Sequence, residues 1–221
     1  MEDLMVDSGR TPRRGRPPVS DEQRGRQRLD ISRHAVRLFA EQGVAATSGE
    51  QIARAAGVSE RTLWRYFPTK ESCVEPLLRK MLDAFRTVLH AWPSEAGLIE
   101  HLRTAYQPVL DSSSEDVEAV LAVIRMTHDE PALRAAYLVL RERAEETFTE
   151  VLAERMAMPP ETFEVRVQAA TMNAVLKVAA DEFARETADR GITPEVLNDH
   201  REQLAHALGL VTRRLSGTDA D

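Results

Sequence analysis

Between Gly49 and Pro68 the chain reads GEQIARAAGVSERTLWRYFP, and the spacing of its small residues leaves few ways to fold. Ala53 and Gly57 stand four apart, where two helices crossing steeply leave room only for small side chains. Val58 and Leu63 supply an apolar face for the second of these helices, while Ser59, Glu60, Arg61, Thr62 and Arg65 occupy its outward positions. Upstream of the pair, Ile31, Ala35, Leu38 and Phe39 recur at helical spacing from Arg24, and Gly43 is a stop signal. Thr47 or Ser48 offers an N-cap for a helix through Ala56, with Ile52, Ala53 and Ala56 facing inward. Gly57 ends that helix, and Ser59 caps a third, which carries LWRYF (Leu63 to Phe67), three aromatic residues in a chain that is 5% aromatic.

Three short helices with tight turns are a helix-turn-helix unit, whose second paired helix is suited to a DNA major groove. The alternative is an ordinary helical hairpin inside a bundle. Charge separates the two. The net charge of −7 speaks against nucleic acid, but it is unevenly spread: residues 1–80 hold 15 Lys and Arg against 11 Asp and Glu, and residues 81–221 hold 14 against 25. A basic head on an acidic body confines any nucleic-acid contact to the head. Ahead of the first helix, Arg10, Arg13, Arg14 and Arg16 lie among prolines and glycines, a composition that suits a flexible arm in a minor groove or a solvated tail.

The remainder reads as helix after helix, without the alternation of a strand. A long amphipathic segment is expected from about Thr69 to Ala91, with Pro76 either kinking it or marking its first turn. Further helices are expected after Pro93-Ser94, from the DSSSED loop (Asp111 to Asp116) to Met126, from Ala132 to Met156, after Pro159-Pro160 to about Asp189, and from Thr193-Pro194 onward. The expected fold is all-α with about nine helices: an arm over residues 1–22, a DNA-binding unit over 23–68 and a helical regulatory body over 69–221. No apolar run reaches the roughly 18–20 residues of a membrane helix, and the N-terminus has no secretory pattern. With one cysteine, Cys73, no internal disulfide is available, and a cytoplasmic protein is expected.

The stretch RHAVRLFAEQGVAATSGEQIARAAGVSERTLWRYFPTKESCVEPLL, from Arg33 to Leu78, resembles the N-terminal DNA-binding domain of the TetR family of bacterial transcriptional regulators. The resemblance implies a homodimer that binds a palindromic operator in double-stranded DNA, acts as a repressor, and answers to a small-molecule effector. Control by a protein partner, or no ligand at all, is the alternative. Position by position, it implies phosphate contacts at Thr47 and Ser48, base-edge contacts at Arg61, Thr62 and Trp64, and backbone contacts at Arg65, Tyr66 and Lys70, with Ser59 beside them. Trp64 stands where the family usually has tyrosine, Glu50 and Glu60 fit either a cytosine amino group or solvent, and Phe67 is expected in the core.

For the effector, the resemblance points to the middle helices, where Trp92, Tyr106, Arg125, Met126, His128, Tyr137, Phe148, Met172, Asn173 and Lys177 are candidates as polar or aromatic residues on apolar helices; plain packing or a surface position is the alternative for each. For the dimer it points to the last two helices. There Ala170 and Ala174 permit close approach, and Leu204, Leu208, Val211 and Leu215 form a stripe that burial within one subunit would equally explain. No cofactor is implied. The six histidines form no His-x-x-x-His pair, and no phosphate loop or nucleophile elbow is present, so no enzyme is expected. Cys73 suits a buried structural thiol better than a redox sensor.

Overall fold

The structure, a computed structural model, describes residues 20–93, 95–105 and 114–215, with the side chains of 114 and 210–215 left aside. Among these residues it holds nine α-helices and no strand. Arg13, Arg14, Arg16 and Tyr106 lie outside the described residues.

Helix α1 (Asp21–Gln42) begins because the Ser20 hydroxyl accepts from the Gln23 amide, with Asp21 and Glu22 complementing the helix dipole. It therefore takes in the last two residues expected in the arm, Asp21 and Glu22. It buries Ile31, Ala35, Val36 and Phe39 toward α2 (Gly49–Ala55) and the body, and α3 (Glu60–Tyr66) packs on α2. The expected long helix after α3 is divided: a 3-10 turn, Glu71–Val74, precedes α4 (Glu75–His90). Pro76 sits in the first turn of α4, where its missing N–H costs nothing, so it starts the helix and does not kink it.

The body continues with α5 (Leu98–Ala105), α6 (Ser114–Met126), α7 (Pro131–Met156), α8 (Phe163–Arg190) and α9 (Pro194–Leu215). Helix α7 ends at Ala157 in the left-handed region (φ 50°), a conformation that costs a residue with a Cβ about 1–2 kcal/mol. Helix α8 packs on α7, α9 and α6, while α4 lies between α1, α6 and α7 and so belongs to both parts of the molecule. One core runs through both, from Ile31 and Phe39 in the head to Leu133, Val165 and Leu204 in the body. Cys73 is buried in it, and burial pushes its thiol up to about 12, which keeps it unreactive.

Candidate nucleic-acid interface

The α2–α3 pair is set by bonds that are nearly all local. Ser48 and Gln51 form a capping box, each side chain bonding the other's backbone. The turn closes with the Val58 amide donating to the Ala53 carbonyl at 2.9 Å, and Gly57 takes φ +65°, a value that disfavours any other residue. The Ser59 hydroxyl accepts from the Thr62 amide and lies 2.9 Å from the Thr62 hydroxyl. Leu63 and Phe67 are buried, and the Arg28 guanidinium sits 5.3 Å over the Phe67 ring.

With the inward side of α3 taken by Leu63, the opposite side carries Arg61, Trp64 and Arg65, all exposed, with Ser59 and Glu60 at its start. Trp64 is 44% exposed, yet its ring also has a structural partner: it lies against Gly49 at the start of α2, where a Cβ would stand 2.1 Å from the ring's Cζ2. The tryptophan thus braces the helix crossing and presents a flat apolar surface outward. Gly49 is a glycine because that ring occupies its side-chain space. Glu50 pairs with Arg54 one turn on, at 2.5 Å, so its carboxylate is already engaged.

Three expected contacts are placed differently. Thr47, where the resemblance implies a phosphate contact, is buried: its hydroxyl donates to the Gly43 carbonyl at 2.8 Å and accepts from the Gln42 amide group at 3.1 Å. Lys70 donates to the Val44 and Thr47 carbonyls at 2.6 and 2.8 Å, and so pins the α1–α2 turn; its charge adds to the local positive potential without a free ammonium for phosphate. Tyr66 is half-buried, and its hydroxyl donates to Gln27 at 2.9 Å, tying α3 to α1; Arg65 lies over its ring at 5.0 Å.

The expected effector residues do not gather in one place. Tyr137, Phe148 and Met172 are core side chains, with Phe148 edge-on to Phe85, and Met126 is packed against the same core. Trp92 donates to the Ala96 carbonyl at 2.8 Å and is covered by the Arg155 guanidinium, a clamp on the α4–α5 connection. Asn173 donates to the Arg141 carbonyl and to Glu145, and Arg141 returns a bond to the Asn173 carbonyl, joining α7 to α8. Lys177 pairs with Asp181 on its own helix, and Arg125 donates to the Ala184 carbonyl at 3.0 Å. His128 is exposed at the α6–α7 turn.

On the last two helices the picture is also mixed. Leu204 and Leu208 are buried within the one chain, where α9 packs on α8 and α5, so burial inside a subunit accounts for them. Val211 and Leu215 continue α9, with side chains outside the described residues. Ala170 and Ala174 are exposed on α8, in line with Phe163 (75% exposed) and Val178 (67%), an apolar stripe that nothing among the described residues covers.

Sequence reasoning missed the junction between head and body. Asp116, at the start of α6, is buried and accepts from Arg33 of α1 at 2.7 and 2.8 Å and from Lys80 of α4 at 2.5 Å. Hydrogen bonding from the Arg33 guanidinium, and then from the Lys80 ammonium, holds its carboxyl well below the usual range despite burial. Three helices therefore meet on one ionised carboxylate.

Known proteins agree with this geometry. The family model described as bacterial regulatory proteins, tetR family, matches residues 31–77, and a TetR C-terminal model described as the MftR C-terminal domain matches residues 96–209. The HTH-type transcriptional regulator TcmR of Streptomyces glaucescens is 29% identical over 196 residues, covering 80% of this chain and 87% of that protein. The HTH-type transcriptional repressor KstR2 of Rhodococcus jostii is 33% identical over 107 residues, 46% of this chain and 52% of that one. Among solved structures, a TetR-family transcriptional regulator from Syntrophomonas wolfei superposes with a TM-score of 0.61 at 18% identity, covering 89% and 98% of the two chains. NalD of Pseudomonas aeruginosa gives 0.56 at 21%, covering 87% and 97%. No helix among the described residues is long and apolar enough to cross a membrane. With a DNA-binding model on its head and a TetR C-terminal model over more than half its length, the chain belongs to the tetR family of bacterial regulatory proteins.

Proposed function

We propose that this DNA-binding regulator is a cytoplasmic homodimeric repressor, which holds a palindromic operator through α3 and releases it when a small molecule binds the body. The observation that carries the reading is the outward side of α3. Arg61, Trp64 and Arg65 project from the side of α3 that faces away from the buried Leu63. Arg61 reaches base edges, Arg65 and Ser48 meet the phosphates, and the arginines of the arm (Arg13, Arg14, Arg16) enter the adjacent minor groove. Repression accords with the relatives, since KstR2 is named a repressor and NalD is described as the secondary repressor of a multidrug efflux pump.

Dimerisation follows from the apolar stripe of α8, with two copies of Phe163, Ala170, Ala174 and Val178 facing each other across a two-fold axis. Release works through α4. This helix leads from the recognition helix through the Glu71–Val74 turn into the body, and Asp116 holds it to both α1 and α6. An effector that prefers a different seat for α4 alters the spacing of the two heads by as much as its differential affinity allows.

Selection of duplexes from a random pool, with light scattering on the free protein, tests the reading. The expected product is an inverted repeat with half-sites about 10 base pairs apart, bound by a particle of twice the 24.8 kDa chain. An asymmetric product, or a particle of one chain, would overturn it.

A further inference from the structure

We infer that the groove between α4 and α7 takes an amphiphilic anion, a molecule that joins a carboxylate or phosphate to an apolar chain. The inference rests on the effector-controlled reading above and names the chemical class of that effector. Along this groove a cavity of about 170 Å³ has guanidiniums at its rim, Arg79 and Arg86 from α4 and Arg143 from α7, over a floor of Leu140, Ala144 and Phe148. Arg79 and Arg86 are seven residues apart and so share a face of α4, and Arg143 meets them from the opposite helix.

Two features separate this cluster from an ordinary solvated face. First, the body is acidic, and most of its other surface arginines are matched: Arg103 with Glu202, Arg185 with Glu182, Arg190 with Glu195 and Asp199. Among the described residues no hydrogen bond or ion pair engages Arg79, Arg86 or Arg143, and the single carboxylate at the cavity is Asp83. Second, the cations stand over buried apolar side chains, where an anion is partly screened from water and a hydrocarbon tail gains by burial.

The groove has room for the tail. One turn further along both helices a second depression of about 280 Å³ is lined by the apolar Leu89, Trp92 and Val151, with His90, Glu154 and Arg155 at its sides. A headgroup held at Arg86 and Arg143 thus places its chain toward Trp92, just past the end of α4 and six residues beyond Arg86, roughly 9 Å at 1.5 Å per residue. The site also touches the coupling element directly, because Lys80, next to Arg79, is the residue that bonds Asp116.

Calorimetry on the full chain without DNA tests the inference, using octanoate, octyl phosphate, octanol and inorganic phosphate as probes. Octanoate or octyl phosphate should bind at least about tenfold more tightly than octanol or phosphate, and the tighter of the two identifies the headgroup. Arg86→Gln and Arg143→Gln should each weaken the anionic amphiphile about tenfold, leave octanol unchanged, and keep the ligand-free affinity for the selected operator. Octanol binding as well as the anions, unchanged affinity in both variants, or no binding by either amphiphile would overturn the inference. Failure of the ligand-free parent to bind any operator would instead overturn the regulator reading, since the groove is titrated without DNA.

Discussion

Asp116→Asn removes the charge on which α1, α4 and α6 converge while keeping the shape of the side chain. The carboxylate is 5% exposed and takes three short bonds, whereas Arg33 and Lys80 are each 40% exposed. Breaking a fully buried pair costs about 3–5 kcal/mol. Here the two cations can rehydrate once released, so the expected loss is smaller, about 2–3 kcal/mol. For a chain of this size that is a fall of roughly 5–10 °C in Tm. Because the folded carboxyl lies below its ordinary value, its contribution is complete above about pH 4 and fades as the pH falls further. Thermal melts of parent, Asp116→Asn, Lys80→Met and the double variant at pH 7 measure the coupling directly. Additive losses, or an Asp116→Asn melt within about 2 °C of the parent, would refute the junction as a structural bond between head and body.

Three further outcomes are expected. Gly49→Ala should leave the helix intact but push the Trp64 ring outward, red-shifting its emission and weakening operator binding about tenfold; unchanged fluorescence and affinity would mean the ring does not rest on Gly49. His200 stacks on Phe183 at 4.1 Å between α8 and α9, and burial pulls its imidazole down to about 4. The unfolded chain binds that proton near pH 6.5, so stability should fall by about 3 kcal/mol as pH drops from about 6.5 to 4; His200→Leu should flatten this part of the profile, and an equal slope in the variant would contradict the assignment. Val178→Asp should yield a particle of one chain by light scattering with full helix content, whereas a persisting dimer would remove the α8 stripe from the interface.

The head was legible in the sequence because its determinants are local. Ser48, Gly57 and Ser59 cap or turn the backbone within three residues, and Leu63 and Phe67 follow from periodicity. What escaped the sequence depends on long separations. Lys70 reads as a free surface cation until it is seen capping carbonyls 23 and 26 residues upstream, and Asp116 finds Arg33 across 83 residues. Periodicity found the stripe of Leu204 and Leu208 but could not say whether a neighbouring helix or a second subunit covers it. Proline at position 76 is compatible with a kink and with a first turn, and only the 3-10 segment before it decides between them. Arg79, Arg86 and Arg143 look like solvated charges in the sequence, because their convergence exists only once α4 packs on α7.

Whether the exposed side of α3 reads DNA is decided by the affinity of the parent and of Arg61→Ala for the selected operator and for its single-base-pair substitutions. Arg61→Ala should lose about 1–3 kcal/mol on the operator and no longer distinguish the pairs at one symmetric position, with its other preferences kept. Equal affinity and an unchanged preference at every position would contradict it.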